Sequence, residues 1–256
     1  EAIPGAYDQS QLVSFYYQSN APFDSFRETW FTGMKDLERI EIHKEAVATL
    51  EKLAKRADAV YENMQETGGM LEQSPLLKEA HTHYLKSLKL FSQEAGKFIT
   101  ADKKINGKTL KRELDTDPGI LEAKRFALIA QNEYYNSILK WNLNMTPELK
   151  DNELTKKEDL TTVEWNQLNL NQKNVFLTNM MLLQPLFANF APQDLAVKVD
   201  TLLDSSQEGK IKFKHISEAV KILVATGAIS NGDYLAMETT RYDNEIIPLV
   251  PSLVQP

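Results

Sequence analysis

Between Asp204 and His215 the chain reads DSSQEGKIKFKH, with Asp204, Ser206 and Glu208 at the first, third and fifth places, Gly209 at the sixth and Ile211 at the eighth. Alternating oxygens ahead of a glycine let a short loop bend around a hard cation, which takes about six to eight oxygen ligands at once. The chemistry would be calcium binding, with Asp204, Ser206, Glu208 and Lys210 as candidate ligands. The twelfth place, where a bidentate carboxylate should supply two of the oxygens, is instead His215. Lys210, Lys212 and Lys214 then outnumber Asp204 and Glu208. The loop is therefore expected to be a structural turn, and no cofactor is expected.

The pattern extends outward, with Ala196, Val199 and Leu203 before the loop and Ile216, Ala219, Val220 and Leu223 after it. Over this span the sequence resembles an EF-hand. The resemblance implies helix, loop and helix with Gly209 at the sharp turn, and His215 makes the motif a degenerate one.

Other constellations carry less. Asn106-Gly107-Lys108-Thr109 ends like a phosphate-binding loop, but Asp102 stands where the leading glycine belongs, so a solvated turn is expected. The four histidines, His43, His81, His83 and His215, form neither a HExxH nor an ExxH pattern. His81 and His83 lie two apart on a helix and point in different directions, so they cannot chelate one ion. His43 and His81 fall on apolar seams, where a local hydrogen-bond partner is the expected role. Cysteine is absent, which removes disulfides, thiolate metal sites and cysteine nucleophiles together. No serine nucleophile motif is present and no carboxylate falls within an apolar stripe, so solvated acids and no catalytic residue are expected.

The first thirty residues are dense in aromatics, and Phe23, Phe26 and Trp30 share one helical face. Core packing is the favoured role of that face. Any exposed part of it would be the preferred partner-binding surface.

The elements that would position these residues are helices. Val47, Leu50, Ala54, Ala57, Tyr61 and Met64 are spaced 3, 4, 3, 4, 3, and the stripe projects back through Ile40 and His43, predicting one helix from near Asp24 or Asp36 to Thr67. Gly68-Gly69 stops it and Ser74-Pro75 starts the next, whose stripe is Leu77, His81, Tyr84, Leu88, Phe91, Ala95 and Phe98. Two such stripes joined by a short turn make an antiparallel pair. Lys97 to Arg112 reads as an exposed basic loop, and Asp117-Pro118 opens a helix with two apolar faces. After a polar stretch, shorter helices follow. The proline-containing tail carries Ile247, Leu249, Val250 and Leu253 and is expected to lie in a groove.

The class is all-α: a bundle of long antiparallel helices over residues 1–145, a linker over 146–162, and a smaller helical unit with an extended tail over 163–256, the two units packing either separately or as one. With 36 acidic against 29 basic residues, the net charge of −7 argues against nucleic acid or anionic lipid as a partner. No apolar run is long enough to span a bilayer. These features together lead to the expectation of a non-enzymatic helical interaction module with a protein partner, working outside the cytoplasm as a secreted or lipid-anchored protein. The alternative is a ligand- or calcium-responsive sensor using the 204–215 loop or an interhelical pocket.

Overall fold

The computed structural model describes residues 2–66, 68–149, 152–207, 212–237 and 240–254. It is all-α, with no β-strand among the described residues. The helices are α1 (Gln9–Phe15), α2 (Ala21–Leu37), α3 (His43–Gln65), α4 (Pro75–Thr100), α5 (Gly107–Thr116), α6 (Pro118–Met145), α7 (Thr162–Asn166), α8 (Leu170–Leu183), α9 (Pro192–Gln207), α10 (Ile216–Ala225) and α11 (Asp233–Ala236). They form two compact units, one of Glu1–Ala6 with Ser14–Ala130 and the other of Tyr7–Val13 with Gln131–Pro256. The passage from one to the other occurs within α6.

The first unit is built on the α3–α4 pair, with α2 packed against α3. The predicted α4 stripe is buried from Leu77 through Ala95. On α3 the buried seam is Ala46, Leu50, Leu53, Ala57, Val60 and Met64, a face slightly rotated from the predicted one. The rotation leaves Tyr61 only half-buried. Phe23, Phe26 and Trp30 are at most 2% exposed, and their rings meet Tyr84 at 4.3 Å and Phe91 at 5.1 and 4.6 Å between centroids. Each such aromatic pair adds about 0.5–1.5 kcal/mol beyond the area it buries. The face is core.

Three expectations differ from the structure. The helix expected to run unbroken to Thr67 is two helices, because the chain turns a corner at residues 38–42 and Ile42 is extended with φ −87° and ψ 121°. That corner is held by α5, whose first residue donates Gly107 N–H to the Ile40 carbonyl at 2.7 Å, while His43 Nδ1 lies 2.9 Å from the Ile105 carbonyl. Hydrophobic spacing ran through the corner because these tethers are long-range and leave the local period intact. The stretch expected as a basic loop contains the end of α4 and the start of α5, with Asn106 Oδ1 accepting from Thr109 N–H at 3.0 Å as the cap. Asn106-Gly107 is thus a helix start and not a solvated turn.

His81 is 4% exposed and its Nδ1 lies 2.6 Å from Ser19 Oγ. Burial holds its pKa below the ordinary histidine value, so the native chain keeps the ring neutral where the unfolded chain protonates it. Stability should therefore fall as pH drops below about 6.5, by at most about 1.4 kcal/mol per pH unit. Urea titrations at pH 7.5 and 5.5 should show a smaller acid loss for His81→Gln, which keeps a partner for Ser19, than for the parent chain. Equal losses would mean that His81 protonates freely in the native state.

In the second unit, α8 is buried without interruption from Leu170 to Thr178, polar residues included. A helix buried on all sides must find partners for those side chains. Asn169 and Gln172 cap its start reciprocally at 2.9 Å each, and Asn171 Nδ2 donates to Asn142 Oδ1 at 3.0 Å and to the Ile246 carbonyl at 2.9 Å. The 146–162 stretch contains a 3-10 turn, Glu153–Lys156, with Thr155 buried and its carbonyl accepting from Asn179 Nδ2 at 2.8 Å. The tail is only partly buried, with Leu249 68% exposed. Val250 and Leu253 are buried, and the Gln9 side chain brackets Leu249, accepting its N–H at 3.0 Å and donating to its carbonyl at 2.9 Å.

Candidate functional site

The oxygen-rich stretch is described only in part. Asp204 and Ser206, the first and third places, are still within α9, where an EF-hand loop would already have left the entering helix. Ser206 Oγ donates to the Leu203 carbonyl at 2.7 Å, and the Asp204 carboxylate is paired with Arg241. Glu208 and Lys210 lie outside the described residues. His215, the departure from the motif, is the residue preceding α10 and forms an antiparallel bridge with Thr161, while Ile216 N–H donates to the Leu160 carbonyl at 2.9 Å. Ser217 Oγ donates to Asp159, so the exit of the loop is tied to the 159–161 segment. Among the described residues no group of three or more histidines and acids could hold a metal ion.

The rings of Phe23, Phe26 and Trp30 are interior.

The expectation that every acid is solvated also fails. Asp200 is 1% exposed, and its carboxylate accepts Trp165 Nε1–H at 2.8 Å, both contacts of Lys173 Nζ at 3.1 Å, and the Tyr242 hydroxyl. Lys173 also lies 5.0 Å from the Trp165 ring and 5.7 Å from the Tyr242 ring. Burial, then the adjacent Asp200 charge, drives the Tyr242 phenol far above its ordinary range. Glu245 nearby is raised chiefly by burial, and its Oε1 accepts Leu170 N–H at 2.6 Å. Four donor contacts engage both oxygens of Asp200, so this carboxylate is committed to holding α7, α8, α9 and the 240–254 segment together. Lys173 and Asp200 lie 27 positions apart on helices that carry other polar residues, so spacing alone does not bring them into contact.

Among the described residues, an open chemical surface lies in the first unit. A groove of about 430 Å³ is lined by Tyr61 from α3, by Thr82, Leu85, Lys86, Lys89, Leu90 and Gln93 from α4, and by Phe126 from α6. Lys86 Nζ stands 5.6 Å from the Phe126 centroid and Lys89 Nζ 5.3 Å from that of Tyr61. Residues three apart on a helix share a face, so α4 presents the two ammonium groups side by side, one toward each aromatic wall. Exposed cation–π contacts of this kind hold a lysine with only about 0.5–1 kcal/mol. Neither lysine is paired with a carboxylate among the described residues.

The Phe126 ring is bordered further by His83, stacked at 5.8 Å, and by Arg125 at 5.5 Å, which is itself bound to Glu122 through two contacts of 2.9 Å. Burial and then the Lys86 charge hold His83 below the ordinary histidine range. Tyr61 was read from the sequence as a seam residue, and Phe126 fell between the two apolar faces assigned to α6. Only the observed rotation of α3 shows that Tyr61 is free to line a groove.

A smaller cavity of about 200 Å³ in the same unit is lined by His43, Lys97, Phe98, Ala101, Lys103, Ile105, Leu110, Glu113 and Asp117. Its charges are matched internally: Lys103 pairs with Glu113, Lys97 pairs with Glu94 at 2.8 Å, and Asp117 accepts Ile120 N–H at 2.9 Å. The α3–α4–α6 groove is therefore the better candidate for a ligand. No family model matches the chain, and no match was found among curated proteins or solved structures.

Proposed function

We propose that the protein is a non-enzymatic helical binding module whose binding face is the groove between α3, α4 and α6. The observation that carries this reading is the juxtaposition of an aromatic ring on each wall with apolar α4 side chains between them, in a concavity of about 430 Å³. Concavities of roughly 300–1,000 Å³ with apolar linings and a few placed polar groups are the usual form of ligand sites. The buried carboxylate of Asp200 supports a non-catalytic role for the second unit, since both of its oxygens are already taken. The absence of cysteine supports an extracytoplasmic setting, where unpaired thiols are a liability. A ligand-responsive sensor would share the same groove and would add a conformational change on binding.

The reading predicts that the native chain takes up one equivalent of 8-anilinonaphthalene-1-sulfonate with a rise in fluorescence. Gln93→Trp, a substitution of an exposed groove residue that fills the concavity, should weaken that uptake at least about tenfold, the usual consequence of losing roughly 1.4 kcal/mol of apolar contact. Undiminished uptake by a folded Gln93→Trp chain would place the probe elsewhere and overturn the assignment.

A further inference from the structure

We infer that the groove selects small organic anions, with a carboxylate, sulfonate or phosphate head and an aromatic or acyl body. The inference rests on the binding reading above and adds the chemistry of the occupant. Lys86 and Lys89 are the charged residues of the lining, with no acid among its eight residues, although acids exceed bases in the chain by 36 to 29. Both are exposed at the mouth, so the groove meets solvent with two positive charges above an apolar interior. Their ammonium groups lean over ring faces and are held there weakly, so a ligand anion can draw them away at small cost.

An anionic head placed between them gains two charge-assisted hydrogen bonds. The body is then left against Leu85, Leu90 and the faces of Tyr61 and Phe126, which accept a flat ring or an extended chain. A cation would meet two lysines with Arg125 nearby, while a neutral ligand of the same shape would gain only the apolar contacts. His83, its pKa lowered first by burial, stays uncharged and adds no third positive charge on the Phe126 side. Of the acids on that side, Glu122 is engaged by Arg125 and Glu79 acts on His83.

The test uses three probes with one body: naphthalene-2-sulfonate, naphthalene-2-methanol and naphthalen-2-ylmethylammonium, titrated into the full chain and read by methyl NMR shifts at Leu85, Leu90 and Thr82. The sulfonate should bind about tenfold tighter than the alcohol, the advantage expected of two partly exposed charge contacts, and the ammonium weaker still. Raising salt from 50 to 500 mM should erase most of that advantage, and so should Lys86→Gln/Lys89→Gln, whose surface positions leave folding intact. If all three probes shift the groove methyls with equal affinity, the anion preference is overturned while the binding module stands. If no probe shifts them, both fall. A sulfonate preference that persists in the double glutamine variant would also overturn the inference, since the charge would then be read elsewhere.

Discussion

Replacing Asp200 with alanine is expected to cost the second unit about 3–5 kcal/mol, because removing one partner strands the other as an uncompensated buried charge. Lys173 is 5% exposed at its side chain and has α8 on a fully buried course, so it cannot extend to water when its carboxylate is gone. The Trp165 indole and the Tyr242 hydroxyl lose their acceptor in the same step. Hydrogen exchange of the α8 and α9 amides is the suitable measure, since it reports on this unit alone and does not assume that both units unfold together.

Removing both charges should behave differently. A buried ion pair contributes little net stability over a neutral replacement of similar volume, so Asp200→Asn/Lys173→Met should return to within about 2 kcal/mol of the parent chain. That difference between single and double variants is the signature of the pair. A single variant within about 1 kcal/mol of the parent would mean that water reaches the site, and a double variant as damaged as the single would put the cost in lost packing around Trp165.

The all-α class and the α4 stripe were legible because burial there follows local helical spacing, and seven residues from Leu77 to Phe98 repeat it without interruption. What spacing could not convey was a break that preserves the period. Ile40 and His43 continue the α3 stripe on paper, while in the molecule they sit at a corner held by residues about sixty positions away.

Asn166, Asn169, Asn171, Asn174 and Asn179 crowd one stretch of the sequence with no periodic pattern. Asn169 caps α8, and Asn169, Asn171 and Asn179 bond across to Asn132, Asn142, Thr155 and the tail, and partners so distant leave no periodic trace. The site followed the same rule. Tyr61 and Phe126 are ordinary apolar residues by composition, and it takes the rotation of α3 to set one opposite the other. The loop that drew attention by local pattern lost its first and third oxygens to α9 and to Arg241, a choice made by tertiary packing.

The second large effect concerns Gly107, where helix propensity and packing predict opposite signs. Alanine is favoured over glycine in a helix by up to about 1 kcal/mol, so on propensity alone Gly107→Ala should stabilise α5. A Cβ at this position would instead lie 2.1 Å from the Leu37 carbonyl oxygen and 2.9 Å from that of Ile40, both backbone atoms. A flexible side chain could turn aside, but a backbone carbonyl moves only with its element, and here the element is the corner between α2 and α3. The same approach brings Gly107 N–H to 2.7 Å from the Ile40 carbonyl, so relieving the clash also lengthens that bond. We expect a loss of about 3 kcal/mol, at the upper end of the cost of overpacking. Gly119→Ala is the matched control, because its Cβ would meet the Glu94 carboxyl at 2.1 Å, the movable end of a side chain. Glu94 can rotate with Lys97, so that variant should remain within about 1 kcal/mol of the parent. Urea midpoints of the two variants, followed at the ring cluster around Trp30, decide the matter. A Gly107→Ala chain as stable as Gly119→Ala would mean that the corner is not clamped by α5.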